Sequence, residues 1–185
     1  MKNKETRTVF YFGYGPNKNR DIMEAITGNK NLVGHTAILP GYKLCLQKLH
    51  HVPDLVFPNS PIPISPRKIL ETAWRDDFES YSIIKGGEGD EVVGVVWELT
   101  PEERDLVREW ELIDFGWAKD IEAIVSIEGN TKIKILTEGI RDGQEFDSIV
   151  DGKEYKEIPV PLEDLKLAIE KCRKEYFSRI TEKHA

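Results

Sequence analysis

Cysteine is almost missing from this chain. Cys45 and Cys172 are the two thiols in 185 residues, and so distant a pair supports neither a disulfide framework nor the ligand spacing of a metal centre. One lies in an apolar, strand-like run and the other on a helix-like face, so both read as small buried thiols. Basic excess is missing too: 26 Lys and Arg stand against 33 Asp and Glu, for a net charge of -7. That balance lacks the electrostatic footprint of a nucleic-acid binder, and no nucleic-acid partner is expected. No apolar run is long enough for a secretory h-region or a membrane span, so a cytoplasmic setting without a membrane partner is the expectation. The three-glycine dinucleotide fingerprint, the P-loop ending and the Gly-x-Ser-x-Gly nucleophile elbow are all absent.

What the chain does carry begins at its first strand. The segment Thr8 to Tyr14 reads as β, and Tyr11-Phe12-Gly13-Tyr14-Gly15-Pro16-Asn17 hands over to a short helix with Ile22, Met23, Ala25 and Ile26 on one side. Asn17 or Asn19 is placed to cap that helix. A strand ending in two close glycines before a helix start gathers unpaired N–H groups and can hold an anion. Because Pro16 removes one donor, a carboxylate fits better than a phosphate. The plainer reading is that Gly13 and Gly15 only permit a tight turn.

Farther on, Thr36–Leu39 and Tyr42–Leu46 flank Pro40-Gly41 and read as a strand pair or a single bent strand. Five prolines between Val52 and Pro66 exclude a continuous helix or a central strand and predict a loop excursion over about 52–66. Helical turns over Lys68–Trp74, a strand Ser80–Lys85, a glycine-rich turn and a buried strand Val92–Leu99 follow. Thr100-Pro101-Glu102-Glu103 has the residues of a capping box with proline at the first helical position. It opens a helix burying Leu106, Val107 and Trp110 and ending before Gly116. A hairpin over Ile121–Ile127 and Lys132–Thr137, turning at Glu128-Gly129-Asn130, precedes an amphipathic helix over about 161–182. The length favours one domain, 1–185. The element mix predicts α+β, with a mixed, curled or barrel-like β-sheet and flanking helices.

The densest chemical cluster is Trp110-Glu111-Leu112-Ile113-Asp114-Phe115-Gly116-Trp117, where carboxylates sit among bulky apolar rings. Burial raises a carboxylate pKa toward the value that a general acid or base needs at neutral pH. Glu109, Glu111 and Asp114 compete for that role, and helical periodicity does not choose between them, since Glu109 and Glu111 flank the apolar stripe almost symmetrically. All three also fit as solvated acids at a helix end. His50-His51 with Asp54 suggests a metal ligand set, but adjacent histidines on a strand point to opposite faces, so no metal site is expected. His35 and His184 show no partner.

These motifs, taken in order, resemble the γ-glutamylcyclotransferase-like family, which includes the plant avirulence-induced AIG2-like proteins. The family's first strand runs into Tyr-Gly-Ser-Asn, and Tyr14-Gly15-Pro16-Asn17 stands in that place. The block Gly89-Asp90-Glu91-Val92-Val93-Gly94-Val95-Val96-Trp97-Glu98-Leu99 looks like the family's Gly-Asp pair before a Val-x-Gly-Val-Val strand. Glu111, followed by Gly116 and Trp117, has the spacing of the family's catalytic glutamate, and Glu109 does not. Asp147 to Leu165, with Tyr155 ahead of Pro161, is similar to a later tyrosine and proline stretch. The resemblance implies a cofactor-independent cyclotransferase that converts a γ-glutamyl amide or peptide to 5-oxoproline. Glu111 would be the acid/base, and Tyr14, Gly15, Pro16 and Asn17 the substrate-binding turn. Pro16 replaces a serine and removes a hydroxyl and an N–H, and the proline-rich excursion is long for this family. Both leave a second expectation, a non-catalytic small-molecule-binding or regulatory module of the same fold.

Overall fold

The computed structural model describes residues 7–74, 78–128, 131–156 and 160–182. Residues 1–6, His184, and Gly129 and Asn130 of the expected hairpin turn lie outside that set. The strands are β1 (Val9–Gly13), β2 (Val33–Pro40), β3 (Tyr42–Lys48), β4 (Glu79–Lys85), β5 (Glu91–Leu99), β6 (Ala118–Ile127), β7 (Thr131–Ile140) and β8 (Ser148–Val150). The helices are α1 (Arg20–Thr27), α2 (Pro66–Trp74), α3 (Pro101–Trp110) and α4 (Leu162–Glu182). β1, β5, β2, β6 and β7 close into a barrel, while β4, β3 and β8 form a smaller sheet. This is the α+β, barrel-like architecture expected from the sequence.

The link between barrel and small sheet follows from Pro40-Gly41. β2 and β3 do not pair with each other: β2 pairs with β5 and β3 with β4. They form one bent strand whose antiparallel partner, β4–β5, bends beside it, so that a long ribbon divides between two sheets. Gly41 sits at the bend with φ 73°, a left-handed conformation that glycine adopts without a Cβ penalty. Its N–H donates to the Asp90 carbonyl at 2.7 Å, and its carbonyl accepts from Gly86 N–H at 2.9 Å.

Alternation along β1 supplies two cores at once. Phe12 points into the barrel with Leu39, Val96 and Ile135. Tyr11 points outward to the layer where Ile22 and Ile26 of α1, Val107 of α3 and Ile169 of α4 pack. The capping box at Thr100 and Glu103 is formed as the sequence predicts, and Asn19, not Asn17, caps α1. A third core, including Leu49, Val52, Leu70, Leu112, Phe115 and Trp117, anchors the proline-rich excursion. Among the described residues no helix is long and apolar enough to cross a membrane.

Candidate active site

The opening turn is held in place by what glycine omits. A Cβ on Gly13 would come within 2.4 Å of the Asn17 carbonyl oxygen, so the 3-10 turn Gly15–Lys18 folds back on the end of β1 only because residue 13 has no side chain. Across the sheet, a Cβ on Gly94 would meet the Phe12 ring at 2.4 Å and the Gly13 carbonyl oxygen at 2.6 Å. The Val93-Gly94-Val95 pattern is therefore a requirement of this close approach.

Asn17 is the hub of the site. It is 3% exposed, and its carbonyl accepts from Trp97 Nε1 at 2.8 Å. Its Nδ2 donates to Tyr11 Oη at 2.8 Å and to Glu111 Oε1 at 2.7 Å. Tyr11 in turn donates to Glu138 Oε1 at 2.6 Å. Two glutamates, from the end of α3 and from β7, are thus joined through one amide and one phenol. Arg104 of α3 lies over the Tyr11 ring, 3.7 Å from Glu138 Oε2, and donates to Asp120 at 3.0 Å.

This setting fixes the electrostatics. Burial pushes the Glu111 carboxyl up to about 7, against the opposing pull of the Asn17 hydrogen bond and the Arg104 charge. Burial and then the charge on Glu111 push Glu138 up to about 8, again opposed by Arg104. Ionising one carboxyl disfavours ionising the other. Glu111 follows the last turn of α3, and the next residue, Leu112, has φ 49° while its side chain is buried in the third core. The helix thus ends in a left-handed cap directly after Glu111, whose carboxylate meets Asn17 of the opening turn.

Glu111, Glu138, Tyr14, Pro16 and Asn17 share a cleft of about 960 Å³. A recess of about 10 Å³ beneath it, enough for one water molecule, is bordered by both glutamates, Tyr14, Gln47 and Trp117. The outer wall mixes apolar side chains, Ile62 and Ile64 from the excursion, Trp74 from α2, Phe78, Phe115 and Leu165 from α4, with charged ones such as Lys68, Glu79, Lys171 and Arg179.

Solved structures with this arrangement of strands and helices include one described as a gamma-glutamyl cyclotransferase, with a TM-score of 0.55 at 21% identity over 76% of this chain and 70% of that one. The chain has the γ-glutamyl cyclotransferase fold. An uncharacterized protein from Homo sapiens shares this fold, with a TM-score of 0.55 at 19% identity over 87% of this chain and 86% of the other. No family model and no curated protein matches the sequence.

Of the three acids left open by periodicity, one reaches the turn. Glu109 also borders the cleft but is tied to Arg179 of α4, and Asp114 pairs with Arg108 at 2.5 Å on the exposed side. Tyr14, Pro16 and Asn17 line the cleft. Gly15 lies beneath it, and its N–H donates to the Tyr155 hydroxyl at 2.9 Å, while Tyr155 donates to the Val93 carbonyl at 3.0 Å. The Asn17 N–H is bonded to the Tyr14 carbonyl at 3.1 Å. The anion cradle read from the turn's amides is therefore occupied by the protein's own acceptors at these two donors. His50 and His51 lie outside the cleft, on a 3-10 turn instead of a strand.

Glu138, Tyr11 and Arg104 were not singled out by the sequence reading. For Glu138 a signal existed: Leu136, Glu138 and Ile140 share one face of β7, and an acid between two apolar residues on a buried face requires a partner.

Proposed function

We propose that the protein is a γ-glutamyl cyclotransferase, with Glu111 as its acid/base. The observation that carries this is the Glu111 carboxylate, raised toward neutrality and bonded to Asn17 of the opening turn inside one cleft. The α-amine of a γ-glutamyl amide attacks its own side-chain carbonyl carbon. A C–N bond forms to close the five-membered ring, and the original C–N bond breaks to release the amine. Glu111 takes the proton of the attacking nitrogen and returns it to the departing one, a two-step role that a single carboxyl near pH 7 performs in both directions. Holding the substrate folded supplies the orientation contribution. No cofactor enters the scheme.

The apolar side chains of the outer wall, Ile62, Ile64, Trp74 and Phe78 among them, support a leaving group with apolar surface. Release of 5-oxoproline from a panel of γ-glutamyl amides tests both parts. A γ-glutamyl phenethylamide or leucine amide is expected to exceed the glycine amide in kcat/KM by roughly 10-fold or more, the scale set by burying a side chain. Absence of 5-oxoproline from every member would end the catalytic reading. One observation favours a second reading, a binding module: the Gly15 N–H is already engaged by Tyr155. Saturable binding of the panel without turnover would establish it.

Glu138→Gln should leave the ascending limb of the kcat/KM pH profile in place. As the base, Glu111 must be ionised, so activity rises with pH through about 7. Glu138, pushed up to about 8, keeps its proton through most of that rise, so an uncharged amide replaces an uncharged carboxyl. A limb displaced to lower pH would mean that Glu138 is the first of the two to ionise.

A further inference from the structure

The end of β3 runs into a single 3-10 turn, Leu49–His51. In such a turn successive side chains are about 120° apart, against 180° on a strand, so neighbouring histidines no longer face opposite ways. The His50 and His51 rings lie 4.0 Å apart between centroids. Both Nε2 atoms face the same oxygen, Asp147 Oδ1, at 3.7 Å each. Asp54, the acid nearest in sequence, is not involved, since its carboxylate accepts from Ser65 at 2.7 Å.

We propose that His50, His51 and Asp147 form a binding site for one divalent transition-metal ion of the Zn²⁺ or Co²⁺ class. The three ligand atoms lie within 4.8 Å of one another. Tetrahedral bonds of about 2.0–2.1 Å place ligand atoms about 3.3 Å apart, so the two 3.7 Å distances to Asp147 close by roughly half an ångström, and the two imidazole nitrogens, which lie within 4.8 Å of each other, by up to about 1.5 Å. The exposed His50 ring is free to supply that movement, its side chain being 64% exposed.

The remaining groups are already arranged as outer supports. Asp147 Oδ2 accepts from the Lys48 N–H at 2.8 Å, which leaves Oδ1 for the ion. Asp147 N–H donates to the Leu46 carbonyl at 2.8 Å and fixes the residue just before β8. Glu145 Oε2 lies 3.4 Å from His51 Nδ1, the position of a carboxylate that accepts the Nδ1 proton and leaves the Nε2 lone pair for metal. Two imidazoles and one carboxylate select a borderline ion over Mg²⁺, with water completing the coordination. The ion would fasten the root of the proline-rich excursion to the edge of the small sheet.

Titration of tag-free, metal-stripped full-length protein with Co²⁺, followed by visible absorption, and with Zn²⁺, followed by calorimetry, tests the site. The expected result is saturable binding of one ion per chain, undisturbed by excess Mg²⁺. Affinity should fall by about 10-fold or more in His50→Ala and in Asp147→Asn and stay unchanged in His35→Ala and Cys172→Ser. Zn²⁺ should raise the melting temperature of the native protein and not that of His50→Ala, whose exposed side chain is not needed for folding. Absence of saturable binding, competition by Mg²⁺, or unchanged affinity in both His50→Ala and Asp147→Asn would overturn the site.

Discussion

Glu111→Gln is expected to lower 5-oxoproline release by about 10²–10⁴-fold, the usual contribution of a positioned acid/base, while the protein folds normally. Gln keeps an oxygen to accept from Asn17 Nδ2, so the opening turn retains its contact. Glu109→Gln, which disturbs only the pair with Arg179, is expected to retain turnover. The opposite pattern would assign the chemistry to Glu109. Stability should move in the other direction. A carboxyl whose folded-state pKa is raised is most stabilising when protonated, and that contribution is lost as pH rises through its folded value. At pH 8.5, where Glu111 is ionised in a buried place, the Gln variant should be more stable than the native protein by about 1 kcal/mol. Near pH 5 the two should be alike in denaturant midpoint.

Arg104→Met is the second large effect. Arg104 is 4% exposed and lowers the pKa of both glutamates. Met preserves much of the volume against Tyr11 but removes the cation that opposes two buried negative charges. Loss of one partner from a buried ionic group costs about 3–5 kcal/mol, and here the loss should depend on pH. The unfolded carboxyls titrate near 4.3, the folded ones near neutrality, and without Arg104 the folded values rise further. The deficit in urea unfolding should therefore be near 3 kcal/mol at pH 8.5 and shrink steadily toward pH 5, where both carboxyls carry protons. Equal deficits at the two pH values would reduce Arg104 to a packing role. Asp120 is not the source of such a trend, because Arg108 also pairs with it.

Local chemistry was legible where one segment carried the whole instruction. Thr100-Pro101-Glu102-Glu103 specifies a helix start without help from elsewhere, and the prolines between Val52 and Pro66 exclude regular structure by their own covalent geometry. The division of β2–β3 between two sheets was not legible, because Pro40-Gly41 is equally suited to a hairpin and to a bend. Which partner strand lies alongside is decided by β4 and β5, which follow only after the proline-rich excursion and α2. The same limit applied to the site. Glu111 stood in a dense aromatic cluster, whereas Glu138 becomes meaningful only when β1 brings Tyr11 beside it, 127 residues away in sequence. The two histidines were placed on a strand for a simpler reason: nothing in the sequence marks that the strand periodicity ends at Lys48.

Leu112 carries demands that no other side chain meets together. Its left-handed backbone favours Gly or Asn, but Gly would leave an unfilled space among Leu70, Phe115 and Trp117, and Asn would bury an amide without a partner. Substitutions here should therefore fail in different ways, some by loosening the third core and others by straightening the chain after Glu111. Residue 112 carries no proton in the proposed reaction, yet it borders the cleft and its buried side chain anchors the chain directly after Glu111. A search for altered activity that looks only at cleft-lining polar groups would pass over the cap that ends α3 beside Glu111.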